Sequence, residues 1–425
     1  MESLQRQWYI GVKHIKITLP KYVGFIIDKL YEKGYEAFAV GGCVRDAVMG
    51  RTPHDWDITT NALPDVVKET FNKTIDTGIK HGTVTVMIQR VGYEVTTYRI
   101  DGEYTDGRHP KEVIYTTDLS EDLKRRDFTI NAMAYNYRTG IIDEFNGVRD
   151  IENKIIRCVG KPADRFREDA LRMLRAIRFS AQLDFSIDKV TYEAIELLAD
   201  NLSLISKERI QAELTKTITS ENPDRILHIC KLKLYPYIFS EGSLLSQGDT
   251  VVYEKVSNIM KYLPKNSYLR YAGLLTYEKD VEKILRFLKL DNKTIKIVSK
   301  LVYNKDLKLS ADKIGLRRVI VVVGKDIFYD YYLAYIEALI KAGCEVIDIS
   351  ISEYKSIYEI CQEIYDDKDC LSLSEMAITG RDLKEFGLPD GKQIGDILKI
   401  LFDRVIEDPK LNHREILMSM AEKLI

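Results

Sequence analysis

The chain has no CxxC pair and no Cys/His cluster: its six cysteines, at 43, 158, 230, 344, 361 and 370, are scattered. That spacing offers neither a zinc site nor a disulfide framework, and it suits a reducing, cytoplasmic setting. No uninterrupted apolar run reaches the roughly 18 residues that span a bilayer, and no basic-then-apolar segment opens the chain, so no membrane partner is expected. An excess of one charge is missing too. Lys and Arg number 63 against 65 Asp and Glu, a net charge of −2, so a polyanion would have to be met by a local patch rather than a whole-molecule field. There is no internal repeat and no low-complexity tract. With 425 residues, 45% of them apolar, the chain can bury a sizeable core and divide into several domains.

What is present begins with Gly41-Gly42-Cys43-Val44-Arg45-Asp46, followed by Asp55-Trp56-Asp57. The apolar run Ala37-Phe38-Ala39-Val40 reads as a strand ending in two glycines, which permit a tight turn and close backbone approach to a phosphate. Arg45 then starts a short helix. In an extended strand Asp55 and Asp57 project to one side and Trp56 to the other, where it reads as core. Such a carboxylate pair can share divalent cations, and Glu94, on a strand expected to pair nearby, is the candidate third acid. Two acids alone are more often a solvated strand edge. The Gly-Gly-x-x-Arg-Asp upstream turns the reading toward a nucleoside triphosphate held over two metals.

Around these motifs the pattern predicts helices over 21–33 and 64–71, strands over 35–40 and 55–59, and a hairpin of 82–88 and 93–98 turning at Arg90-Val91-Gly92. One mixed sheet flanked by helices is expected. The turn-rich, charged segment 101–110 reads as a mobile loop. Past residue 160 helix-period patterns dominate, and Val319 to Val323 looks like a strand by propensity alone.

Two further constellations carry charge. Arg125-Arg126-Asp127-Phe128-Thr129-Ile130-Asn131-Ala132 offers guanidinium groups for ribose or phosphate oxygens; equally, Asp127 is a helix cap with basic neighbours. Along a helix predicted over 162–183, Phe166, Ala170, Leu174, Ile177 and Ala181 form one core-facing stripe. Asp169, Arg172, Arg175 and Arg178 wind around the remaining surface. Asp169 and Arg172, three residues apart, can present acceptors and donors to a single base edge. The plain alternative is a solvated helix face, against which stands arginine at every third position where lysines mixed with acids would be usual.

In this order these motifs, together with Glu94-Val95-Thr96-Thr97-Tyr98-Arg99 and Glu168-Asp169-Ala170-Leu171-Arg172-x-x-Arg175-x-x-Arg178-Phe179, resemble the class II tRNA nucleotidyltransferases. These are the CCA-adding enzymes, which share a catalytic head with bacterial poly(A) polymerases. Ile378-Thr379-Gly380-Arg381-Asp382-Leu383 and Gly391-Lys392-x-Ile394-Gly395-x-Ile397-Leu398 extend the likeness to the C-terminal region. The resemblance implies an α+β nucleotidyltransferase head at 1–155, with a polymerase-β-like mixed sheet. It is followed by an all-α neck (156–220), body (221–345) and tail (346–425). It implies Mg²⁺ on Asp55 and Asp57, the triphosphate on Gly42 and Arg45, and the sugar-phosphate part on Arg126. Asp169 with Arg172 would meet the Watson–Crick edge of CTP or ATP. Arg175 and Arg178 match further nucleotide-contacting positions, of which the helical geometry favours Arg175. The implied partner is tRNA, gripped at its acceptor and T-arm by the helical portion, as a monomer or a homodimer. Enzymes adding only CC or only A, poly(A) polymerases, and a non-catalytic tRNA-binding protein are the alternatives. The segment 101–111 with Arg108 favours full CCA addition, no basic signature of a poly(A) polymerase follows the neck, and a pure binder has no use for the acid pair.

Overall fold

Pro20, with φ fixed near −58°, precedes the first helix, α1 (Lys21–Glu32), whose Val23, Ile26, Ile27 and Leu30 recur at helical spacing and are all buried. The structure, a computed structural model, describes residues 15–101, 113–345, 347–387 and 391–424. The segment read as a mobile loop, Arg108 included, falls from 102 to 112 outside the described residues. The chain divides into two units, Met1–Phe239 and Ser240–Ile425.

In the first unit, β1 (Ala37–Val40) is buried throughout and leads into α2 (Gly42–Val48). There follow β2 (Ile58–Thr60), α3 (Pro64–Thr70), β3 (Thr74–Gly78), β4 (Thr83–Ile88), β5 (Val91–Thr97), β6 (Arg99–Asp101), β7 (Val113–Tyr115), α4 (Leu119–Lys124), β8 (Ala134–Asn136), β9 (Gly140–Ile142) and α5 (Gly147–Glu152). Seven strands form the expected mixed sheet in the order β3-β4-β5-β2-β1-β8-β9. Every neighbouring pair is antiparallel except β2 with β5, where Ile58 lies opposite Val95. That one parallel pairing matters for the site. It carries the residues just ahead of each strand partner, Asp57 and Glu94, to the same place.

Three boundaries differ from the sequence reading. Strand β2 begins at Ile58, after the acids, although Val40 N still donates to Asp57 O at 3.0 Å and keeps the segment extended. The hairpin turns at Gln89-Arg90, both at positive φ (48° and 68°), a two-residue turn that suits strand twist. Gly92, read as a turn glycine, lies inside β5: a Cβ there would come within 2.8 Å of Thr85 Cγ2, so the glycine makes room for its cross-strand neighbour. The predicted helix 162–183 is two helices, α6 (Pro162–Glu168) and α7 (Leu171–Leu183). At Asp169 the backbone leaves helical geometry (φ −147°, ψ 103°), and its carboxylate accepts Leu171 N at 3.1 Å, starting the second helix. The predicted stripe is buried at all five positions. Two more helices, α8 (Lys189–Leu197) and α9 (Lys207–Ile218), complete the part that bears on the site, α9 packing along α7.

The second unit has no strand among its described residues; its long helices include Thr250–Tyr262, Asn292–Tyr303, Ile351–Asp366 and Lys392–Glu407. The strand suggested by Val319 to Val323 is the last part of a helix, Lys313–Val323, capped where Asp312 accepts Gly315 N. Val319, Ile320 and Val323 are buried while Val322 is exposed, so helical burial outweighs β propensity there. Ile378, Leu383, Ile394 and Ile397 from the C-terminal motifs join one hydrophobic cluster of this unit. Among the described residues no helix is long and apolar enough to cross a membrane. All six cysteines are free thiols and buried.

Candidate active site

Gly41 ends β1 at φ 82° and ψ −130°, a backbone region that disfavours side chains, and a Cβ there would meet Arg126 Nη1 at 3.0 Å. The glycine thus lets a guanidinium lie against the turn. One residue on, Gly42 begins α2 and leaves open the space beside Arg45. Arg45 is itself buried and fixed from two sides. Its Nε and Nη2 reach Asp46 Oδ1 at 2.9 and 2.8 Å, and its Nη1 donates to Asn131 Oδ1 at 2.7 Å.

The β2–β5 register sets Glu94 beside Asp57, and the charges of Asp55, Asp57 and Glu94 are felt among them. Loss of surrounding water raises the Asp57 carboxyl; Arg126 pulls it back and the Asp55 charge pushes it up again. Glu94 is raised by the same loss of water, then by Asp57 and Asp55. Like charges this near disfavour one another's ionisation. Among the described residues no three or more Asp, Glu, His or Cys side chains come close enough to enclose a metal unaided. An all-oxygen set of this sort nevertheless fits Mg²⁺, which binds through one or two carboxylates and completes its shell with phosphate oxygens and water. Trp56, read as core, is only half-buried.

The arginines are organised by buried acids. Asp122 on α4, fully buried, accepts Arg125 Nε and Nη2 on Oδ1 (3.0 and 2.7 Å), and Arg126 Nη2 and Thr59 Oγ1 on Oδ2 (both 3.2 Å). Asp127, where a helix cap was the alternative, is instead a hub. It accepts Phe128 N and Asn131 Nδ2 on Oδ1, and Arg175 Nε at 2.7 Å and Nη2 at 2.6 Å on Oδ2. Burial opposes its ionisation, yet Arg175 and then Arg172 outweigh it and bring its pKa down to about 2.

Asp169 and Arg172 do not pair with each other. Asp169 is clasped by Arg209 of α9, Nη2 to Oδ2 at 2.8 Å and Nη1 to Oδ1 at 3.3 Å, while Arg172 donates to Glu168 Oε2 at 2.6 Å and to the Arg125 carbonyl at 3.0 Å. The helix break at Asp169 is the reason: it takes the acid off the helical ribbon on which the i, i+3 spacing was counted. Arg178 is buried against Glu213, four residues beyond Arg209 on α9, with Nε 3.2 Å from Oε2. Burial, followed by repulsion from Arg175, lowers its pKa to about 10. Arg45, Arg175 and Arg178 all gather on the ring of Phe179, at 5.2, 5.4 and 4.2 Å from its centroid. The structure therefore brings Arg178 together with Arg175 and Arg45, although sequence geometry set it apart from Asp169.

Sequence reasoning assigned nothing to Asp122, Asn131, Phe179, Arg209 and Glu213. The one available signal was in α9, where Glu213 falls between the buried positions Ile210 and Leu214, a place that an acid rarely occupies unpaired.

Comparison with known proteins matches three family models: the Poly A polymerase head domain over residues 37–157, the probable RNA and SrmB-binding site of polymerase A over 184–245, and a putative tRNA nucleotidyltransferase domain 2 over 271–421. The CCA-adding enzyme of Ligilactobacillus salivarius is 36% identical over 418 residues, covering 94% of this chain and 95% of that one. That of Listeria monocytogenes is 37% identical over 386 residues, with 89% and 91% covered. Among solved structures, the Bacillus stearothermophilus CCA-adding enzyme in complex with CTP superposes with a TM-score of 0.78 at 29% identity, covering 94% of this chain and 96% of that one. The Thermotoga maritima CCA-adding enzyme complexed with tRNA shares the fold, with a TM-score of 0.65 at 20% identity and 97% of both chains covered. With relatives of this identity along almost its whole length, and a mixed-sheet unit followed by helices, the chain belongs to the CCA-adding enzymes, the tRNA nucleotidyltransferases.

Proposed function

We propose that this protein adds CCA to the 3′ end of tRNA, taking CTP twice and ATP once without a nucleic-acid template and releasing pyrophosphate at each step. The observation that carries the residue assignment is that Asp55, Asp57 and Glu94 lie within reach of one another's charge while a guanidinium, Arg126, acts on Asp57 and lies against the Gly41 turn. Acids for a cation and a cation for phosphates thus stand side by side. Magnesium bound to Asp55 and Asp57 would lower the pKa of the attacking 3′-hydroxyl and neutralise the departing pyrophosphate. The chain's own residues do the rest. The Gly42 turn and Arg45 hold the triphosphate, Arg126 the sugar-phosphate part, and Arg175 and Arg178 stand at further nucleotide-contacting positions. Glu94 adds negative charge behind the metal-binding pair.

Base choice falls to Asp169 and Arg172. Cytosine and adenine both offer an amino donor beside a ring-nitrogen acceptor, which a carboxylate and a guanidinium can satisfy; uracil and guanine offer the reverse, leaving polar groups unpaired at about 1–3 kcal/mol each. The Arg209 clasp leaves this possible, since a carboxylate has about four acceptor positions. In this reading residues 1–155 are the catalytic head, 156–220 the base-recognising neck, 221–345 the body and 346–425 the tRNA-binding tail, of a protein at work in the cytoplasm. The test is incubation with tRNA lacking its last three nucleotides, supplying CTP and ATP separately and together, and reading product lengths on a gel. CTP alone should give two added residues, both together three. Addition of only C, only A, or a long A tail would overturn it. Asp55→Ala and Asp57→Ala should abolish incorporation while tRNA still binds.

A further inference from the structure

Arg126 is only partly satisfied by the protein. Its Nη2 bonds Asp122 Oδ2, its Nη1 lies against Gly41, and its buried Nε has no hydrogen-bond partner among the described residues. Its charge acts on Asp57. A flexible cation so placed would fold onto Asp57, where the acid would be lost to a metal and the cation to a nucleotide.

Asp122 stands in the way of that collapse. Its carboxylate, fully buried, takes Arg126 Nη2 on the same oxygen that accepts Thr59 Oγ1. Thr59 sits two residues beyond Asp57, on the same side of the extended segment. The other oxygen is filled by Arg125, so the carboxylate cannot rotate away without breaking two further bonds. One buried acid thus references the position of Arg126 to the strand that follows the metal-binding pair. We infer that Asp122 is a positioning residue, holding Arg126 off Asp57 and turning the free part of its guanidinium over Gly41 toward the nucleotide. The inference rests on the nucleotide role proposed for Arg126.

A double-mutant cycle on the full chain tests it, measuring equilibrium binding of CTP and of ATP, with tRNA affinity as the control. Asp122→Asn keeps the shape but removes the charge, and should weaken nucleotide binding about tenfold, the size of one charge-assisted hydrogen bond. tRNA affinity should be unchanged. In an Arg126→Ala background the same change should add less than about twofold, because the two act through one contact. If Arg126→Ala leaves nucleotide affinity intact, the nucleotide role of Arg126 falls. If Arg126→Ala weakens binding but Asp122→Asn does not, or the two losses add in full, only the positioning role falls. Should Asp122→Asn fail to fold, Thr59→Val takes its place. It should weaken nucleotide binding about threefold, an effect lost in the Arg126→Ala background, and no change would overturn the inference.

Discussion

Replacing Asp127 by Asn keeps the shape of the side chain and removes the charge that four donors converge on. Those donors are Phe128 N, Asn131 Nδ2 and the Nε and Nη2 of Arg175. The carboxyl pKa falls from 3.8 to about 2 in the folded protein, with Arg175 and Arg172 overcoming the opposing effect of burial. A fall of that size corresponds to about 2 kcal/mol of folding stability. The sign follows from the direction: a folded-state pKa below the unfolded one gives stability that is fully present above about pH 4 and is lost as pH drops toward 2. Asp127→Asn should therefore be destabilised by about 2 kcal/mol at pH 7, and the gap to the parent should close between about pH 4 and pH 2. Urea unfolding followed by tryptophan fluorescence reads this out. Trp56 lies in the same unit as Asp127 and no tryptophan follows residue 239, so unfolding of the second unit does not supply the signal. Equal stability at pH 7, or a gap that stays constant down to pH 3, would refute the assignment.

Four further outcomes follow from the site. Arg209→Ala frees Asp169 from its clasp and should raise misincorporation of UTP and GTP about tenfold on a gel assay, the effect of one charged hydrogen bond; unchanged selectivity would show that the clasp does not set the base-reading geometry. Phe179→Leu keeps an apolar side chain but removes the ring shared by Arg45, Arg175 and Arg178, so KM for both nucleotides should rise about three- to tenfold, with kcat less affected. Because loss of water and like charge raise the Asp57 and Glu94 carboxyls and only their ionised forms bind a cation, Mg²⁺ affinity measured by calorimetry should weaken as the pH is lowered and these carboxyls take up protons, and an affinity independent of pH would refute their role. Glu94 is raised by loss of water, then by Asp57 and Asp55; Asp55→Asn removes the last of these, so the Glu94 carboxyl, followed by NMR, should titrate at a slightly lower pH than in the parent.

The parts of the site legible in the sequence are those whose cause is local. A glycine pair after a buried apolar run, two acids one residue apart, and an apolar stripe at helical spacing each follow from backbone geometry over a few residues. The partners are not local. Arg175 finds Asp127 and Asp169 finds Arg209 across 48 and 40 positions, and periodicity tells which face is buried without telling what opposes it. The break between α6 and α7 shows where two local signals competed. The stripe from Phe166 through Ala170 to Leu174 runs unbroken, which argued for one helix. Yet Asp169 is also a residue type that readily turns its carboxylate back onto a backbone N–H two positions on, and its bond to Leu171 N is that alternative realised. The stripe survives the break because Ala170 stays buried while the residue before it is released from the helix. A continuous helix would have left Asp169 on the winding ribbon; the break gives its carboxylate to Arg209 instead, and the acid proposed to choose the base is held by a second helix as well as by its own.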